Sequence, residues 1–218
     1  MEKTYYCPTC DGELERLSGC GAVGYFCNHC RLLVSRQKML AVPTIDWSHA
    51  MLLVVDMQNG LLSRNVWHKV ALIENVNNLI DFFHGKRSPV VFARHTNTGF
   101  SKINEPAWEI CPCMHIGEED RIFNKIHSSI FGEKEFLAYL DEGGTFGHEI
   151  NWVVVCGLVS NGCVKAACED GLKRGIHVIL PEDGHSTFHQ EGEAMVSRWN
   201  ESLAKAGVVV ATTKQIIG

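Results

Sequence analysis

The stretch CGLVSNGCVKAACEDG, residues 156–171, places three cysteines in three settings. Cys156 closes the apolar run WVVVC, which suits a buried filler of a strand. Cys168 shares the i, i+3, i+4, i+7, i+8 stripe Val164, Ala167, Cys168, Gly171, Leu172, which suits the buried face of a helix. Cys163 stands at the start of that helix and beyond the strand, where free N–H groups and the helix dipole are expected to favour a thiolate. A thiolate attacking a carbonyl needs a proton acceptor and donors for the oxyanion. The turn GLVSNGC can aim N–H groups at such an oxygen. Asp56, in VVDMQNG, can take the thiol proton and pass it to a leaving amine. Lys125, in NKIHSSIF, is the candidate cation to support both anions.

A second set of sulfurs points to a metal. Cys7 and Cys10 form one C-x-x-C pair and Cys27 and Cys30 another, so four thiolates can close a tetrahedral shell. About 30 residues cannot build an adequate core, so the ion would supply the folding energy. The expectation is a zinc ribbon over residues 1–38 with structural zinc on Cys7, Cys10, Cys27 and Cys30; iron in a rubredoxin-like site is the alternative. Cys20 and His29 are read as non-ligands. Residues 1–38 hold five Lys/Arg against four Asp/Glu, a net of +1. That is too little for phosphate binding, so a docking or oligomerisation role is expected rather than nucleic-acid binding.

The elements that must position these groups follow from residue 48 onward. The chain has 218 residues, a formal charge of -5 and 45% hydrophobic residues, an ordinary globular composition with no uninterrupted apolar run long enough to span a bilayer. No secretory pattern opens it, so a reducing cytoplasm is expected, with cysteines serving metals, catalysis or packing rather than disulfides. Residues 39–47 read as a linker. AMLLVV (50–55), PVVFAR (89–94), NWVVVCG (151–157), IHVILP (176–181) and GVVVAT (207–212) read as buried strands. Helices are expected between them: over 65–85 with Val66, Val70, Ile73, Ile80 and Phe83 on one stripe, over 133–142, after Cys163, and over about 190–205. This alternation predicts an α/β fold, a three-layer α/β/α, Rossmann-like domain with a mostly parallel sheet over residues 48–218. Working groups of such sheets collect at strand carboxyl ends. That rule selects Asp56, Arg94, His95, Cys163 and Asp183. The long stretch 96–120 reads as a lid or specificity loop, with Trp108 and Ile110 as pocket walls. Cys111, Cys113 and His115 within it have no familiar ligand spacing. Asp183 and His185 are expected to organise the site rather than act in it.

LLVVDMQNG, NKIHSSIF and CGLVSNGCVKAACEDGLKRGIHVILPEDG resemble, in this order, the three signature segments of the isochorismatase-like cysteine hydrolases. The resemblance spans about residues 48–213. It implies Asp56, Lys125 and Cys163 as the catalytic set. It also implies a non-proline cis peptide between Leu158 and Val159, and an oxyanion hole from the Val159 and Cys163 N–H groups. Gln58, His95, Trp108 and Phe131 are the expected substrate-binding residues. ARHTNTGF lacks the Asp of the nicotinamidase metal segment, so no catalytic metal is expected. Isochorismatases proper lack the nucleophilic cysteine, and its presence here favours cleavage of a C–N bond in a small amide, ureido or carbamoyl compound. The rivals are a vinyl-ether or other non-amide hydrolase using Asp56 as acid, and a non-enzymatic scaffold recruited through the ribbon. The family's habit of dimers or tetramers implies a homo-oligomer.

Overall fold

The computed structural model describes residues 4–19, 22–97 and 102–218. The first part is a small antiparallel sheet, β1 (Glu15–Gly19), β2 (Ala22–Cys27) and β3 (Leu32–Val34). Its core is little more than Cys7, Leu14, Tyr25 and Cys27, with Tyr5 edge-on to Tyr25. So few apolar contacts leave the module dependent on its sulfurs. The segment expected as a linker is pinned at both ends: Leu40 bridges to Tyr6, and Ile45 enters the main core.

The main domain runs β4 (Ala50–Val55), α1 (Asn59–Leu62), α2 (Lys69–Lys86), β5 (Val90–His95), β6 (Arg121–Lys125), α3 (Lys134–Asp141), β7 (Trp152–Leu158), α4 (Lys165–Lys173), β8 (His177–Pro181), β9 (His185–Ser186), α5 (Gly192–Lys205), β10 (Val209–Ala211) and α6 (Thr213–Ile217). The sheet order is β10-β8-β7-β4-β5-β6, with β9 beside β7, and its pairings among the described residues are parallel. Every residue of β4 is buried, because side chains alternate between two covered faces. Leu52 and Val54 meet Val76, Leu79 and Phe83 of α2 and Ile216 of α6. Met51, Leu53 and Val55 meet Phe136 of α3, Ala167 and Cys168 of α4 and Leu203 of α5. This is the three-layer α/β/α arrangement expected.

Helix and strand bounds differ from the sequence reading in places. The helix expected from residue 65 begins at Lys69, after His68 in the left-handed region. Its buried stripe is therefore Leu72, Val76, Leu79, Ile80 and Phe83, while Val70 is 78% exposed. Strand β6 was not expected at all. It is the outer strand of the sheet, and Arg121, Ile122 and Asn124 are exposed, so it carries no apolar run to betray it.

Within the stretch 96–120, residues 98–101 lie outside the described part, and the rest packs on the main domain. Ile110 bridges to Gln58, Asn77 of α2 donates to the Cys113 carbonyl, and Trp108 and Met114 are buried. Cys111 and Cys113 are joined as a disulfide, against the expectation of free sulfurs only. Pro112 between them holds their Cα atoms 5.1 Å apart, within bridging range. His115 is bound to Asp81 at 2.9 Å, so these three residues do not form a metal shell. Among the described residues no helix is long and apolar enough to cross a membrane.

Candidate active site

The chain leaves the sheet in opposite directions from β4 and β7: β4, β5 and β6 build outward on one side, β7, β8 and β10 on the other. The crevice between β4 and β7 is thus the switch point at which parallel sheets place their sites. Val55 and Gly157 face each other there. A Cβ on Gly157 would collide with the Val55 carbonyl oxygen, and its φ is +108°, so only glycine fits. This close approach sets Asp56, the next residue of the first strand, beside the turn that follows the second.

Asp56 is 3% exposed and sits at φ +54°, an unusual conformation for a residue with a side chain. Lys125 arrives from the end of β6, opposite His95 in the β5–β6 register, and is 1% exposed. Its Nζ donates to Asp56 Oδ2 at 3.0 Å and to Cys163 Sγ at 3.2 Å. Asp56 Oδ1 is buried and has no hydrogen-bond partner among the described residues. A nitrogen of His95, a carboxylate oxygen of Asp56 and Cys163 Sγ lie within 4.8 Å of one another. Four residues far apart in sequence therefore meet at one point.

Electrostatics at this point are governed first by burial. Burial pushes the Asp56 carboxyl above its ordinary value, against the pull of the Lys125 charge and the Cys163 thiol beside it. Burial, then the Asp56 charge, pushes the Cys163 thiol up to about 11, with Lys125 opposing. This corrects the expectation of a thiolate held at a helix start. Residues Ser160–Val164 form a wide π-turn broken at Gly162, and the regular helix begins only at Lys165. Cys163 is thus tucked against an acid instead of capping a helix, and it rests as a thiol. Burial and Lys125 push His95 down, so its imidazole is neutral near pH 7.

The turn itself is held from behind. The Leu158–Val159 peptide is cis, as the resemblance implies. Ser160 Oγ lies 2.8 Å from His185 Nδ1 and 2.9 Å from the Ser186 carbonyl oxygen. His185 Nε2 reaches Asn200 Oδ1 at 2.8 Å, and Asn200 donates to the Glu182 carbonyl. Burial pushes His185 down to about 4, so it stays neutral. Sequence reasoning placed His185 near the site but could not see that it anchors the turn through Ser160. Asp183 accepts from the backbone and hydroxyl of Thr213 at the start of α6.

The expected substrate residues divide. His95 is half-buried and belongs to the central group. Gln58 is fully buried, and its amide clamps backbone: it accepts from the His95 N–H and donates to the carbonyls of His95 and Trp108. It builds the wall instead of reaching into the site. Trp108 is 5% exposed, with Arg94 stacked on its ring and its Nε1 donating to Thr96. Phe131 packs on Phe136 in the core below. Cys168 is fully buried in that same core and Cys156 in the core on the other face of the sheet, which suits inert packing.

In the small module, Cys7, Cys10, Cys27 and Cys30 bring one sulfur each within 4.8 Å of the others. Cys10 Sγ and Cys27 Sγ stand 3.4 Å apart, near the ~3.8 Å expected of two thiolates sharing a tetrahedral zinc. The four residues fit a structural zinc ion. His29 is exposed and outside the group; Cys20 lies outside the described residues.

The isochorismatase domain model matches residues 50–215. The chain belongs to the isochorismatase-like cysteine hydrolase family. A double zinc ribbon model matches residues 1–42 ahead of it. A streptothricin hydrolase of Streptomyces noursei is 28% identical over 166 residues, 71% of this chain and 63% of that protein. The chain thus spans less than two thirds of the length of that family member. Among solved structures, an isochorismatase of Pseudomonas putida superposes with TM-score 0.70 at 22% identity, covering 79% of this chain and 92% of that one. A cysteine hydrolase of Pseudomonas syringae pv. phaseolicola gives TM-score 0.70 at 18% identity, covering 82% and 95%. These two likenesses concern the family fold.

Proposed function

We propose that this family member hydrolyses a C–N bond in a small amide, ureido or carbamoyl compound, with Cys163 as nucleophile. The observation that carries the reading is the buried Lys125 ammonium joining the Asp56 carboxylate to the Cys163 sulfur at 3.0 and 3.2 Å. Asp56 takes the thiol proton as Sγ attacks the carbonyl carbon. The N–H groups of Val159 and Cys163 receive the developing oxyanion. Asp56 then returns the proton to the departing amine as the C–N bond breaks, leaving a thioester on Sγ. A water, deprotonated by Asp56, attacks the thioester, and the thiol and a carboxylic acid are released. Lys125 keeps the site's charge balanced at each stage, and His95 faces the reacting carbonyl. The structural zinc stays in the ribbon, remote from these steps in sequence, and is proposed to hold a module for docking or self-association.

The test is release of ammonia over a panel of primary amides, ureido acids and carbamoyl amino acids, with Cys163→Ala beside the wild type. Release by the wild type and none by the variant is the expected result. A panel member cleaved equally by both would overturn the reading.

A further inference from the structure

Three residues of the proposed reaction also form a metal-donor set, a use that hydrolysis itself does not require. A carboxylate oxygen, an imidazole nitrogen and a sulfur, from Asp56, His95 and Cys163, lie within 4.8 Å of one another. Oxygen, nitrogen and thiolate sulfur are the ligands of zinc, which binds at about 2.0–2.3 Å and so wants its ligands about 3.6 Å apart. A second, independent feature points the same way. Lys125 engages Asp56 through Oδ2, while Oδ1, on a residue 3% exposed, has no hydrogen-bond partner among the described residues. A buried carboxylate oxygen without a donor is costly, and a cation is one of the few groups that satisfies it. Cys163 sulfur can keep its bond from Lys125 and still offer a lone pair.

We infer that the catalytic cleft is also an inhibitory site for a thiophilic divalent cation, zinc, bound by Asp56, His95 and Cys163. The ion takes the sulfur as thiolate and releases its proton. It then occupies both the nucleophile and the base, so the enzyme is silent while the ion is bound. The positive charge of Lys125 beside the same two groups opposes the ion, which keeps the site weaker than the four-sulfur ribbon and its occupancy reversible. Hard, oxygen-seeking magnesium has only the carboxylate to offer it a good ligand, so the site discriminates against it. The inference concerns control of the proposed active site, but it stands on the donor geometry and not on which bond is cut.

Alkylation provides a test that needs no substrate. The full chain, first shown by elemental analysis to carry its ribbon zinc, is treated with iodoacetamide with and without micromolar zinc chloride, and labelling of the Cys163 peptide is followed by mass spectrometry. Zinc is expected to slow labelling of Cys163 about tenfold or more, with protection lost on dilution into zinc-free buffer and not produced by magnesium. His95→Ala should still be labelled at Cys163 but lose most of the protection. After gel filtration in zinc, the wild type should carry one more zinc than His95→Ala. Equal labelling with and without zinc would overturn the inference, and so would protection undiminished in His95→Ala. An inactive amide panel combined with zinc-protected Cys163 would sink the proposed reaction alone.

Discussion

Lys125 and Asp56 form a fully buried ion pair, and such pairs are costly to break from one side. Lys125→Met should destabilise the chain by about 3 kcal/mol in urea unfolding, because the Asp56 charge loses its partner in a dry site. The double variant Asp56→Asn with Lys125→Met should recover part of that loss; no recovery would mean the two residues do not act as a pair. Activity should also report Asp56. As the base it must be deprotonated, and burial raises its value, so the acid limb of the rate profile should lie above the ordinary carboxylate range near 4. An acid limb at or below about 4 would argue for another base. At this scale the meeting of Asp56, Lys125 and Cys163 was legible in motifs, because each stands in a distinctive local string. The protonation state of Cys163 could not: it depends on how deeply the turn is buried beside Asp56, a long-range property.

The elements hold the turn by contacts that sequence spacing does not display. His185 in β9 meets Ser160, and Asn200 in α5, 15 residues on, meets His185 in turn; only the fold brings the three together. Because the folded value of His185 falls to about 4 from an ordinary 6.5, its contribution to stability is complete above pH 6.5 and is lost as pH falls toward 4. Wild-type unfolding free energy should therefore drop between pH 7 and pH 4.5 by about 2–3 kcal/mol more than that of His185→Gln. Equal slopes for the two proteins would mean the imidazole is not buried neutral. Gly157→Ala should prevent β4 and β7 from meeting, with loss of folded protein in far-UV circular dichroism; a stable, active variant would contradict the close approach. Most strands were legible because a doubly covered strand is apolar throughout, as AMLLVV is. Strand β6 was not, since an outer strand with exposed Arg121, Ile122 and Asn124 has a loop's composition, although Lys125 at its end was singled out as a residue. The helix stripe was misplaced at Val70 because the start at Lys69 is set by the left-handed turn at His68.

The whole molecule joins a four-cysteine ribbon, matched by the double zinc ribbon model, to a three-layer domain of the isochorismatase-like family. Its two C-x-x-C pairs were legible because metal ligation imposes short, fixed spacing, whereas the Cys111–Cys113 bond belongs to a surface stretch with no such rule. Cys27→Ser should abolish the ribbon zinc found by elemental analysis and lower the near-ultraviolet signal of Tyr5 and Tyr25; unchanged zinc content would place the ion elsewhere. The assembly expected from the family is open to sedimentation equilibrium, where a dimer or tetramer is anticipated and a monomer at micromolar concentration would refute it. Everything proposed about catalysis rests on the sulfur of Cys163. It is tested most directly by turnover of Cys163→Ser on an amide that the wild type cleaves, alongside the intact mass of wild type quenched during the reaction. The expected result is a loss of turnover of about 10³-fold or more, with an acyl adduct on the Cys163 peptide of the wild type. Full turnover by Cys163→Ser would contradict a cysteine nucleophile outright.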